Sequence, residues 1–305
     1  MASPSPNLRG AALMSASMAA FTLNDAFMKG LAGEVPLFQA ILIRGVAVCA
    51  VLVPVAWWRG ALRLPGGGDA LFVLLRTAAE IGAAFLFISA LFRMPLANAT
   101  AILQALPLTI TLAGALFLGE RVGWRRWTAI GVGFLGVLVM IRPGTEGFDR
   151  WSLYALGAVA CVTLRDVATR RIGAGVPSLT VATAAAVGVT AWAGIMTLAG
   201  RDWSPVGGPA AWQLAGAVAA IMAAYLLSVA TMRAGDVSFV APFRYTGLVW
   251  ALLLGLLLFG EWPDGRTLLG AGIVVASGLY TLVREARTGR RMPRAGPDLR
   301  GLRPR

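Results

Sequence analysis

Ten apolar runs follow one another along the chain, at about residues 8–31, 36–57, 69–92, 95–117, 124–142, 150–172, 177–199, 209–233, 237–259 and 266–284. Each is long enough to cross a hydrocarbon core of ~30 Å as a helix rising ~1.5 Å per residue. The links are short, and several carry Pro or Gly, as at Pro36, Pro65 to Gly68, Pro143-Gly144, Pro177 and Gly207 to Pro209. No soluble domain fits between the runs. The first run continues without a small-residue cleavage site, so it reads as the first span and not as a signal peptide. The pattern predicts an all-α integral membrane protein with ten transmembrane helices. Composition agrees: 58% of residues are apolar and 13% are charged, where a soluble domain carries ~25% charged residues. A cytosolic globule, a disordered chain and a secreted disulfide scaffold are excluded.

A shift of 141 residues superimposes one half of the sequence on the other. Thr22-Leu23-x-Asp25 meets Thr163-Leu164-x-Asp166, Val35-Pro36 meets Val176-Pro177, Gly66-Gly67 meets Gly207-Gly208, and Gly119-Glu120 meets Gly260-Glu261. One offset holds across five runs, so the chain reads as a duplicated five-helix unit, over 1–145 and 146–284. Five is odd, so the second unit enters the membrane upside down. Inverted repeats of this kind accompany transport sites near the midplane, at the interface of the halves.

The formal charge of +13 would suit a nucleic-acid binder, but the basic residues are distributed otherwise. With the N-terminus in the cytoplasm, 17 of the 27 Arg and Lys fall on the cytoplasmic side, six on the other and four within spans. The positive-inside rule therefore predicts both termini in the cytoplasm. Eight of the 17 belong to Arg284 and the tail over 285–305, which reads as a disordered basic segment able to touch anionic lipid. No nucleic-acid-binding fold accompanies it. The four within spans are Arg44, Arg76, Arg165 and Arg244. Each costs at least ~2.5–3.5 kcal/mol to insert, so such residues face a bundle interior or a wet cavity.

The half-ends "ALFLGERVGWRRWTAIGVGFLGVLVM" and "LLLFGEWPDGRTLLGAGIVVASGLYTLV" both run from an apolar helix through Gly-Glu to a Gly-rich last helix. With the duplicated ten-helix plan, they resemble the drug/metabolite transporter superfamily of EamA type, over roughly residues 8–284. Within it the chain resembles the bacterial YddG-type exporters of aromatic and other neutral amino acids. The resemblance implies alternating access about a central cavity, a bacterial inner-membrane location and no cofactor. It does not say which residues hold the substrate.

Polar groups concentrate on symmetry-related spans. Arg76 and Glu80 share a face of the third span one turn apart. The eighth brings Met222 and Tyr225, the fourth Gln104, and the ninth Arg244, Tyr245 and Trp250. An amino acid presents a carboxylate and an ammonium to be satisfied away from water, which an Arg and a Glu with hydroxyl or amide neighbours can do. These eight residues are the expected substrate contacts. Arg76 and Glu80 fit equally well a pair that only neutralises itself, and the tyrosines and Met222 fit ordinary packing. Asn24-Asp25 and Arg165-Asp166 occupy equivalent positions near opposite membrane faces, and are expected to be gates, with helix-end solvation or interhelical pairing as the alternative. Pro107 and Pro242 break helix ladders and are expected hinges. Glu120 and Glu261 are expected to pair with loop arginines, and Gly131, Gly133, Gly136, Gly270 and Gly272 to let helices approach closely.

The chain holds no His and only two cysteines, Cys49 and Cys161, both inside apolar runs. His-ligated metal sites, His bases and C-x-x-C chemistry are therefore excluded, and no metal or cofactor is expected. An intramembrane enzyme lacks its nucleophile–base pair, and a receptor lacks its effector domain. The expected function is facilitated export of aromatic and other neutral amino acids by a monomer. S-adenosylmethionine or a purine is the alternative substrate, and proton antiport the alternative coupling.

Overall fold

The computed structural model describes residues 6–63, 65–120, 122–144, 149–173, 175–234 and 237–289. The basic tail beyond residue 289, Arg121 and the expected repeat boundary at 145/146 lie outside them. The described chain is all-helical. Its elements are α1 (Pro6–Gly30), α2 (Leu37–Trp58), α3 (Gly67–Leu91), α4 (Leu96–Leu103), α5 (Leu106–Phe117), α6 (Trp124–Ile141), α7 (Trp151–Arg171), α8 (Ser178–Gly200), α9 (Gly208–Ala234), α10 (Val237–Val240), a 3-10 turn (Ala241–Tyr245), α11 (Thr246–Phe259) and α12 (Gly265–Gly289).

Among the described residues, nine spans are long and apolar enough to cross a membrane. The tenth, α1, is more polar because it carries Ser17, Thr22, Asn24, Asp25 and Lys29, of which Ser17, Thr22 and Asn24 are buried. A polar helix is tolerated here because its neighbours accept its groups: Ser17 Oγ donates to Ala224 O at 2.9 Å, and Thr22 Oγ1 to Gly247 O at 3.4 Å. The outer surface is apolar, with Leu198, Leu226 and Leu257 exposed. Exposed tryptophans mark both ends, Trp57, Trp58 and Trp124 at one and Trp203, Trp212 and Trp262 at the other. Such a belt is how a bundle meets lipid and its interfaces.

The duplication governs the packing. The 141 offset carries α1 onto α7 and α3 onto α9, and the structure packs α1 along α9 and α3 along α7, one interface used twice. The pairs α2–α8 and α6–α12 join equivalent helices across the pseudo-twofold axis. On that axis Cys49 Sγ lies 3.4 Å from Thr190 Oγ1, and Gln104 Nε2 donates to Tyr245 O at 3.4 Å, each pair being the same position in the two repeats. At the α6–α12 crossing a Cβ on Gly270 would lie 2.5 Å from Gly136 O, so glycine is what lets these backbones meet. Gly131 and Gly272 face open space and take no part in that crossing.

The fourth and ninth spans are both discontinuous. The fourth stops at Leu103 and restarts at Leu106 with Pro107 in its first turn, and the ninth passes through the 3-10 turn that holds Pro242. A proline lacks the N–H that the preceding turn needs, so the ladder ends there. The breaks fall at equivalent depths, because α5 and α11 restart within one residue of the 141 offset.

Candidate functional site

Where α1, α2, α3, α7 and α9 meet, acidic and basic side chains alternate. Asn24 Nδ2 donates to Asp25 Oδ1 at 2.9 Å, and Arg44 Nη1 donates to Asn24 Oδ1 at 3.3 Å. The Arg44 charge acts on Asp25, Glu80 and Tyr225. Glu80 is paired on two sides, accepting at Oε1 from Arg165 Nη1 at 3.4 Å and standing with Oε2 3.8 Å from Arg76 Nη2 as an ion pair. Arg165 Nε donates to Asp166 Oδ1 at 2.9 Å. Arg76 is held further by Thr169 Oγ1 at 3.1 Å and Val181 O at 3.4 Å. Three guanidiniums thus face three carboxylates, and each removes part of the insertion cost of the others.

Tyr225 shows that this cluster borders open space. Its side chain is 48% exposed, yet it lies in the field of Glu80, Arg44, Arg165 and Arg76, all from other helices. Its ring meets Phe21 edge-on at 5.7 Å. A surface that is open while ringed by interior charges faces a cavity and not lipid. The Glu80, Arg165 and Asp166 side chains keep 26–31% of their surface open as well. Such a cavity can receive a small polar molecule without stripping every protein charge of its partner.

The structure gathers Arg76, Glu80 and Tyr225 with Asn24, Asp25, Arg165 and Asp166 into one cluster, where the sequence separated them into contacts and gates. Depth along a helix is readable from sequence, but which helices stand beside it is not. Arg44 belongs to the cluster too. The five other expected contacts are not among the cluster's bonds and pairs. Gln104 is engaged with the Tyr245 carbonyl. Tyr245 is 6% exposed, and its hydroxyl rests against Gly278 of α12. Trp250 Nε1 donates to Ser15 O at 3.2 Å and joins α11 to α1. Arg244 is exposed on the 3-10 turn, and its charge acts on Tyr245. Met222 is half-buried on α9. Glu261 and Glu120 pair not with loop arginines but with the helix-end cations Lys29, at 3.0 Å, and Arg170, at 2.7 Å.

Two segments, 8–142 and 149–283, each match the model of the EamA-like transporter family. The chain belongs to that family. This EamA-like protein is therefore a multi-pass membrane transporter built from two repeats. It is 26% identical over 274 residues to an S-adenosylmethionine uptake transporter of Rickettsia felis, covering 88% of this chain and 90% of that one. It is 29% identical over 201 residues to a riboflavin transporter of Vibrio cholerae, covering 66% and 67%. It is 25% identical over 269 residues to the pseudopaline exporter CntI of Pseudomonas aeruginosa, covering 84% and 90%. These relatives carry metabolites other than amino acids, so the EamA-like assignment stands while the finer likeness to amino-acid exporters does not follow from them. A solved crystal structure superimposes with a TM-score of 0.64 at 20% identity, over 92% of this chain and 98% of that one, and shows the same fold.

Proposed function

We propose that this transporter carries metabolites that join an α-amino-acid group to a planar or apolar remainder, a class that includes both S-adenosylmethionine and the aromatic amino acids. The observation behind this reading is the balance of the central cluster, in which Arg44, Arg76 and Arg165 face Asp25, Glu80 and Asp166 around the open face of Tyr225. A zwitterionic amino-acid head can exchange ion pairs with such a cluster without adding net charge of its own, and the sulfonium of S-adenosylmethionine then brings one positive charge beside the three carboxylates. A guest with only an anionic or only a cationic group would engage one sign of the cluster and leave the other without an exchange partner. The Rickettsia relatives support the S-adenosylmethionine member of the class.

In this reading the carrier is passive. Every carboxylate of the cluster has a protein cation or amide beside it, which favours a facilitated carrier over proton antiport. A passive carrier has no direction of its own, so the substrate gradient decides between export and uptake. We place both termini in the cytoplasm of a bacterial inner membrane, on the bias of basic residues. Counterflow in sealed proteoliposomes tests the substrate class, with labelled S-adenosylmethionine, tryptophan, phenylalanine, methionine and riboflavin and no pH gradient. Exchange of the amino-acid-bearing compounds and none of riboflavin is expected. Exchange of riboflavin alone, or flux only after a pH gradient is imposed, overturns the reading.

A further inference from the structure

About 7.5 Å further along α3 from Glu80, α2, α3 and α7 surround a cavity of about 520 Å³, toward the mouth opposite the N-terminal end of α1. That volume lies within the ~300–1,000 Å³ of ordinary small-molecule sites. Phe85, Phe92, Trp151 and Tyr154 supply aromatic walls, and Glu34 and Arg93 stand at its edge. The walls are fixed from behind. The Phe85 ring stacks on Phe38 at 5.9 Å and meets Trp192 at 5.8 Å, and Tyr154 lies 4.9 Å from Trp151. The Arg93 guanidinium lies over the Trp151 ring at 5.6 Å, a contact that uses its face and leaves its N–H edge to donate. Among the described residues, the Glu34 carboxylate has no ion-pair or hydrogen-bond partner and Arg93 has no carboxylate. The cavity thus offers an acid, a base and rings together.

The repeat shows that the architecture does not require these residues. Whatever the fold needs, it needs twice. The 141 offset maps Glu34 to Gly175, Phe85 to Leu226, Phe92 to Arg233, Arg93 to Ala234, Trp151 to Gly10 and Tyr154 to Leu13. Neither the rings nor the two charges recur at the other mouth. The spacing that builds the ion pairs and helix breaks twice builds this chemistry once.

We infer that this mouth is a separate capture site for an aromatic α-amino acid or an amino-acid conjugate with a planar ring. Glu34 takes the ammonium, Arg93 the carboxylate, and the Phe85–Phe92–Trp151–Tyr154 walls the ring. The inference rests on the substrate class proposed above and adds a second, one-sided station before the central cluster. It predicts that recognition requires both charged groups of the head together with the ring.

The test uses full-length protein in proteoliposomes, with Leu37→Cys as a reporter on the cavity wall in a Cys49→Ser/Cys161→Ser background. A membrane-impermeant methanethiosulfonate is added from the cavity side. Tryptophan is expected to slow labelling about tenfold at saturation, while tryptamine and indole-3-propionate, each lacking one charge, give little protection at the same concentration. Protection is expected to persist with Glu80→Gln, which disables the central cluster, and to be lost with Arg93→Ala or Glu34→Gln. Equal protection by all three compounds, or protection that vanishes with Glu80→Gln and survives Arg93→Ala, overturns the capture site. Counterflow without protection removes the capture site and leaves the substrate class standing. Protection without counterflow does the reverse.

Discussion

Lys29 Nζ lies 3.0 Å from Glu261 Oε1 at one end of the bundle, and the residues related to them by 141 positions, Arg170 and Glu120, pair at 2.7 Å at the other end. The two pairs are one interaction made twice by an inverted duplication. Their surroundings differ. Lys29 is 10% exposed, reaches Met94 O at 2.7 Å and lies over the Phe259 ring, and Glu261 also accepts from Leu96 N at the start of α4. Arg170 and Glu120 are nearly half exposed.

That difference predicts unequal locks. Removing one partner of a buried pair costs ~3–5 kcal/mol, and an exposed pair contributes ~0–1 kcal/mol. Glu261→Gln is therefore expected to open its end of the bundle and speed impermeant-thiol labelling at Leu96→Cys, a buried position beside the pair, by well over tenfold. Glu120→Gln is expected to change labelling at its own mouth by no more than about fivefold. The charge swap Lys29→Glu/Glu261→Lys should recover only part of the closure, because a carboxylate at position 29 cannot donate to Met94 O and an ammonium at position 261 cannot accept from Leu96 N. Equal effects at the two ends would show that burial does not set the strength of these locks.

A second prediction concerns the loop before α12. Asp264 accepts from Arg142 and caps α12 through Thr267 N at 2.8 Å, and the Arg142 guanidinium beside it holds its carboxyl well below the usual carboxylate range. A carboxylate with a depressed folded-state value contributes stability above its unfolded value, and that contribution disappears only as pH falls through the lower, folded value. Thermal melts should show Asp264→Asn destabilised by roughly 0.3–1 kcal/mol, because the amide keeps the cap and loses only the charge beside Arg142 and the start of α12. The gap to wild type should stay constant from neutrality to pH 5 and close only in stronger acid. A gap that closes between pH 6 and 5 would show that Asp264 titrates as an ordinary or raised carboxylate.

The spans, their number and the inverted repeat were legible because lipid forces long apolar runs, and the duplication leaves one offset along the whole chain. Asn24, Asp25, Arg165 and Asp166 were legible as polar groups inside spans. Their meeting with Glu80 was not, because nothing in sequence says that α1 lies along α9 and α3 along α7. Gln104 and Tyr245 looked like cavity residues by depth, and instead face each other across the axis where both spans break. The aromatic mouth was hidden because Phe85, Tyr154 and Trp192 stand in apolar runs where a ring facing lipid and a ring facing a cavity look alike. The failure of Glu34, Arg93 and Trp151 to recur at the 141 offset was the available signal.

Tyr245 and Gly278 give a prediction that separates packing from binding. Among the described residues the buried Tyr245 hydroxyl has no hydrogen-bond partner, and a Cβ on Gly278 would collide with it. An unsatisfied buried hydroxyl costs ~1–3 kcal/mol, so Tyr245→Phe should be neutral or stabilising and should leave counterflow selectivity unchanged. Gly278→Ala should lower the melting temperature through ~1–3 kcal/mol of overpacking. The double variant should recover part of that loss. A change of substrate preference in Tyr245→Phe would return this ring to the binding site.

Glu80 carries the most consequential prediction because two guanidiniums depend on it. Glu80→Gln keeps the shape and a hydrogen-bonding oxygen but leaves Arg76 and Arg165 with only Asp166 between them. At ~3 kcal/mol for an uncompensated interior charge, exchange should fall about a hundredfold. Folding should survive, since Thr169, Val181 and Asp166 still hold the two arginines. Glu80→Asp, one methylene shorter, should recover part of the rate by keeping the charge while lengthening both contacts. Adding Arg76→Gln to Glu80→Gln removes the stranded cation along with its partner. It should therefore improve melting temperature over Glu80→Gln alone without restoring exchange. Size-exclusion profiles and melts on each variant separate misfolding from lost transport. Wild-type exchange in well-folded Glu80→Gln would mean that the pair with Arg76 and Arg165 only lowers the cost of keeping arginines in the membrane.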